Sequence, residues 1–221
     1  MFSAVPRILA LSIAAFLTAA YAQEQPPPKA PPAPEAPGMP PRAAPTDYQA
    51  HAQAGAVTIA AEFLGHSIPT PDAVLTNEDY VAVEVGIFGA AGARLTLSLG
   101  DFGLHISGKK TPLKSESDVL VFKSLKNPAL EPTSSEKKSK TSLGTGGQND
   151  EGSTPAVFHL PIEVQHKMIQ QVRQEWLPEG DRALPQAGLI FFAYRGKTEK
   201  LRGIQLIYQG PAGKTTLALQ P

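Results

Sequence analysis

The chain contains no cysteine. That excludes a disulfide framework, a cysteine nucleophile and a lipid-modified cysteine behind a signal peptide, so the folded part must be held by its core alone. Excess charge of either sign is also missing, with 20 basic and 20 acidic residues. Such a balance offers no basic surplus of the kind that draws nucleic acid or an anionic membrane, and a nucleic-acid partner is not expected. Long apolar runs are scarce as well. The longest, Ile8 to Ala20, falls short of the ~20 residues needed to cross a bilayer.

That run has a different use. Arg7 precedes it, and the small residues Ala20 and Ala22 follow it in an A-x-A arrangement around Tyr21. This is the layout of a secretory signal peptide, residues 1–22, cleaved after Ala22. Cleavage would remove Arg7 and leave a chain without an integral span, exported to the periplasm or secreted. Residues 24 to 46 hold ten of the 22 prolines. Proline lacks the backbone donor that ladders and helix interiors need. Residues 23–53 are therefore expected to be a disordered, extended spacer of ~3.1 Å per residue. A single domain, residues 54–221, follows and is long enough for one core.

Alternation is the main signal in that domain. Val57, Ile59, Ala61 and Phe63 mark one face of a strand, and Val81, Val83, Val85 and Ile87 one face of the next, with Tyr80 and Glu84 opposite. Leu95, Leu97 and Leu99 predict a third strand, and Phe102, Leu104 and Ile106 a fourth. The inward parity flips across Gly100-Asp101, as it does where a chain passes between two sheets. Residues 119–122 are expected to form a further strand, and 188–195, 201–209 and 214–220 the last three. Residues 133–154 are polar and rich in glycine and serine, which predicts a flexible loop. Residues 161–176 predict one helix. Ile162, Val164, Met168, Ile169, Val172 and Trp176 make its apolar stripe, and Pro178 and Gly180 end it.

Several motifs in the chain resemble sites without the context those sites need. GPAGKTT has the GKT of a phosphate loop, but Tyr208 stands where its first glycine belongs and a strand follows in place of a helix. The glycines of GIFGAAGAR are spaced as a turn, and Asp101-Phe102-Gly103 lacks every companion of the kinase motif it spells. His159, Glu163 and His166 are spaced for a helical metal face, yet Pro161 leaves His159 outside the helix. No metal or cofactor is expected, and no nucleophile elbow or paired carboxylates point to an enzyme. In GLIFFAY, Ile190, Phe192 and Tyr194 share one face and Leu189, Phe191 and Ala193 the other. Both faces are apolar, so something must cover each. Ile190, Phe192 and Tyr194, with Ile207 beside them, form the candidate partner-binding patch. Either the helix 161–176 docks its stripe there or a partner does.

The stretch DYVAVEVGIFGAAGARLTLSLGDFGLHISGKK resembles the central strands of small exported bacterial domains with a telokin-like immunoglobulin fold. Asp101, Phe102 and Leu104, followed by Gly108 and Lys109, are similar to that family's step and turn, and Pro178, Gly180, Gly188 and Phe192 to its closing half. The resemblance implies a mostly β, immunoglobulin-like antiparallel β-sandwich with one inserted helix, and an export route. It implies no activity, because sandwiches of this kind share architecture without sharing function. The expected function is a non-enzymatic binding domain of the cell envelope or extracellular space with an envelope protein as partner. A structural accessory role is the alternative, followed by a hydrolase whose site assembles in space.

Overall fold

Alternating strands with one apolar face must pair that face with another, and here eight strands do so in two antiparallel sheets. The structure is a computed structural model describing residues 38–107, 109–130 and 160–221. The first sheet runs in the order β1 (Ala50–Ala54), β2 (Val57–Gly65), β5 (Tyr80–Phe88), β11 (Gln186–Ala193). The second runs β13 (Gly213–Leu219), β12 (Ile204–Gly210), β7 (Phe102–Ile106), β8 (Leu113–Lys114). Register makes the apolar rows continuous. Phe63 pairs with Val83 and Val83 with Ile190, while Ile106, Leu104 and Phe102 pair with Ile204, Leu206 and Tyr208. These side chains are buried and form one core between the sheets. Each large one contributes roughly 1.5–3 kcal/mol by leaving water.

The expected fold class is what the structure shows, a mostly β antiparallel sandwich with one substantial helix. The parity flip at Gly100 is also present, made by a 3-10 turn at Leu99–Asp101. Before it, β6 (Arg94–Leu97) pairs with β10 (Gly180–Ala183) in a two-stranded ribbon, and after it β7 joins the second sheet. The long margins of the sandwich are covered. Gln49 bonds both the N–H and the carbonyl of Gln220 beside β1 and β13, each at 3.0 Å. Met39, Ser115 and Trp176 bridge to β11 at Ala187, Phe192 and Leu189.

The outer face of the first sheet carries a third layer. Helix α2 (Ile162–Glu175) lays Met168, Val172 and the following Trp176 on Ala82, Leu189 and Phe191. Beside it stand a small sheet, β3 (Ser67–Pro69), β4 (Val74–Asn77) and β9 (Leu125–Lys126), and a short helix α1 (Asp118–Phe122). Trp176 stacks on Phe191 at 4.6 Å, and Leu177 N–H donates to Leu189 O at 3.0 Å. Gly188 permits that approach, because a Cβ there would lie 2.4 Å from the Leu177 backbone.

Three expectations are corrected. Residues 119–122 form part of α1, not a strand. An apolar run this short carries no period, and the Asp118 carboxylate accepts from Val119 N–H at 2.8 Å while Asn77 Nδ2 donates to Val121 O at 2.8 Å. Residues 38–53, placed in the spacer, pack instead: Tyr48 is buried against Gly86, and β1 occupies 50–54. The helix stripe docks on the Leu189/Phe191 face, not on Ile190/Phe192. The signal segment, most of the proline-rich segment and the loop 133–154 lie outside the described residues.

Candidate functional site

The four residues of the candidate patch do not form a surface. Ile190 and Phe192 are both fully buried between the sheets, because their row of β11 faces Leu206 and its neighbours. Ile207 lies on the opposite face of β12 from Leu206 and Tyr208, half-buried on the outside of the second sheet. Tyr194 leaves the end of β11 and stacks on His66 at 6.4 Å, with Lys109 Nζ 5.6 Å from its ring. A patch read from one strand's parity thus divides among an interior, an outer sheet face and a loop end.

A cleft of about 340 Å³ opens instead where α2 ends. Leu99, Trp176, Leu177 and Pro178 give it apolar walls, and Ser117, Asp118, Arg173, Glu179 and Arg182 give it charge and hydroxyl. Four segments converge here because the chain after α2 must turn at Pro178 to reach β10. Glu179 fixes that turn by accepting from Leu99 N–H at 3.0 Å. Arg173 pairs with Asp118 at 3.2 Å and lies 5.3 Å from the Phe122 ring. Arg182 Nε donates to Glu179 O at 2.9 Å. Nearby Asp101 is raised above the ordinary carboxyl range by burial, and further by the charge of Glu179. A second cleft of about 300 Å³ lies along the first half of α2. Its rim is spanned by its own contacts, Lys167 to Asp72 at 3.1 Å and Gln171 to Asp72 at 2.7 Å.

Sequence reasoning missed a half-buried charge cluster on the outer face of the first sheet. Glu62 and Glu84 stand side by side in register on β2 and β5. Arg42, from the segment before β1, grips Glu84 with Nε at 3.1 Å and Nη2 at 2.6 Å, and also bridges to Glu62. Its guanidinium lies 4.5 Å from the Tyr48 ring. The Glu84 bond raises Arg42 above its usual range, and burial, with the Glu84 charge adding to it, raises Tyr48. Glu175, at the end of α2, is 7% exposed, and its carboxylate makes no hydrogen bond or ion pair with a described residue. Burial pushes its carboxyl upward, and the Glu84 charge pushes it further. The one signal in the sequence was Glu84 itself, a carboxylate inside an apolar strand.

The remaining motifs fall in turns and the strands beside them. GPAGKTT holds the two-residue turn Pro211-Ala212 between β12 and β13 and continues into β13. Among the described residues no three His, Cys, Asp or Glu gather as a metal set, and Glu163 and His166 are exposed on α2. His159 lies outside the described residues. Among the described residues no helix is long and apolar enough to cross a membrane. No protein-family model, no curated protein and no solved structure matches this chain.

Proposed function

We propose that this chain is an exported, non-enzymatic binding domain of the cell envelope or extracellular space, of the telokin-like immunoglobulin type its strands resemble. The observation that carries the reading is the cleft at the end of α2. It combines apolar walls with paired charges at its mouth, and that combination suits recognition of a partner segment. The hydrolase alternative draws on Glu84 and Glu175, two carboxylates of the same cluster, with the Glu175 carboxyl raised by burial and by the Glu84 charge. Both oxygens of Glu84 are held by Arg42, so this carboxylate is not free to act as a base. The binding reading is therefore preferred.

The test places a photo-crosslinking residue at Ser117, exposed at the cleft, and a control at Gln205, exposed on the second sheet. In cells exporting the protein, Ser117 should yield discrete cross-linked species and Gln205 none. Changing Arg173 to Ala should weaken the Ser117 products. Equal labelling at both positions would contradict the reading.

A further inference from the structure

A chain balanced in total charge still segregates it. The loop after β11 carries Arg195, Lys197, Lys200 and Arg202, and the turn after β7 carries Lys109 and Lys110; all are exposed. The two segments lie together. Ser107 donates its backbone N–H and its hydroxyl to Gly203 O, at 3.2 and 3.3 Å, and Lys109 Nζ reaches the ring of Tyr194. Opposing charge is sparse. Asp79 is taken by Arg195 at 2.7 Å and Glu78 by Lys126 at 2.9 Å, leaving Glu199 within the loop and the half-buried Glu116 beside the end of β11. Lys110, Lys197, Lys200 and Arg202 make no ion pair with a described residue.

We propose that this loop end of the sandwich docks on a membrane surface bearing anionic lipid headgroups. Charge complementarity supplies the attraction, and the form of the site selects a lipid surface over a nucleic acid. The cations stand on neighbouring loops, and neither cleft is lined by any of them. Single-stranded nucleic acid needs a free aromatic face on which bases stack. Tyr194, the one aromatic of this loop, has His66 stacked on it and Lys109 above its ring. Leu201, the loop's large aliphatic, is buried. Nothing there inserts into the acyl region, so attachment is electrostatic, reversible and screened by salt.

Flotation with vesicles tests this. The purified chain should bind phosphatidylcholine mixed with phosphatidylglycerol at low salt, and should bind neither phosphatidylcholine alone nor the mixed vesicles at high salt. The triple change Lys197→Gln, Lys200→Gln and Arg202→Gln should weaken partitioning on the order of a hundredfold, with an unchanged melting temperature. Should that variant fold poorly, the pair Lys109→Gln and Lys110→Gln on the other segment provides the same reading and should weaken partitioning by at least about tenfold. Inorganic phosphate at matched headgroup concentration should not displace the vesicles. The proposal is overturned by displacement with phosphate, by binding that survives both variants, by equal binding to uncharged vesicles, or by tighter binding to a single-stranded oligonucleotide at the same salt.

Discussion

Strand β11 sends alternate side chains into two cores, and the two are built differently. On the inner side, Ile190 and Phe192 meet the opposing sheet in a core of apolar side chains packed in register. On the outer side, Leu189 and Phe191 meet Trp176 and the stripe of α2, and the same sheet face continues into Glu62, Glu84 and Arg42. The inner core is made by periodic strands facing one another. The outer one is assembled from pieces far apart in the chain: a helix, a short turn of helix and a segment ahead of the first strand. Periodicity produces the first. The second depends on individual contacts, and its weak points are correspondingly individual.

The largest effects should come from the aromatic pair. Phe191→Ala and Phe192→Ala should each cost about 3–5 kcal/mol, since both side chains are fully buried and each truncation opens a cavity. Chemical denaturation of the two variants checks this. If Phe191→Ala cost less than about 1 kcal/mol, the outer layer would be a loose cover and not a core.

Next is the ion cluster. Arg42→Ala should cost about 2 kcal/mol. That is below the 3–5 of a fully enclosed pair because the Arg42 side chain is 31% exposed, while Glu84 at 7% is left nearly buried without its partner. The double change Arg42→Met and Glu84→Met should recover most of the loss by removing both charges. A double variant as unstable as the single one would show that the segment is held by other contacts.

Glu175 sharpens the comparison through pH. Its folded carboxyl sits above the ordinary value of 4.5, so the folded state binds the proton more tightly than the unfolded chain. That contribution is fully present below the ordinary value and is lost as pH rises through the raised one. Glu175→Gln should therefore match the wild type near pH 4 and melt at a higher temperature at neutral pH and above. A melting difference independent of pH would remove Glu175 from the account. The smallest effect is expected at Ile207, on the outer side of the second sheet, where Ile207→Thr should change stability by about 0.5–1 kcal/mol at most.

These contrasts also explain what could be read from the chain directly. The rows of β2, β5 and β7 carry large apolar residues at every second position, so their inward faces were legible, and the stripe of α2 at helical spacing was legible for the same reason. In β12 the apolar Ile207 on the outer face obscured the parity. Which face of β11 the helix would take was not, because both faces are apolar and period alone cannot choose between them. Residues 119–122 fit either element, and the choice was made by Asp118 and Asn77 through bonds to the backbone. Arg42 stands in a proline-rich stretch, and its partner Glu84 is 42 residues on, beyond the reach of any local pattern. The basic loop end was hidden by the balanced total, since net charge does not record where charges fold together.

The claim that α2 covers the outer face of β11 has a direct spectroscopic reading, because Trp176 is the chain's single tryptophan. It stacks on Phe191, while Phe192 points into the other core. Tryptophan emission should be recorded for Phe191→Ala and Phe192→Ala well below each variant's melting transition. The account expects a red shift in Phe191→Ala, where the indole loses its covering ring, and wild-type emission in Phe192→Ala despite a comparable loss of stability. A red shift in Phe192→Ala with none in Phe191→Ala would place the helix on the other face and contradict it.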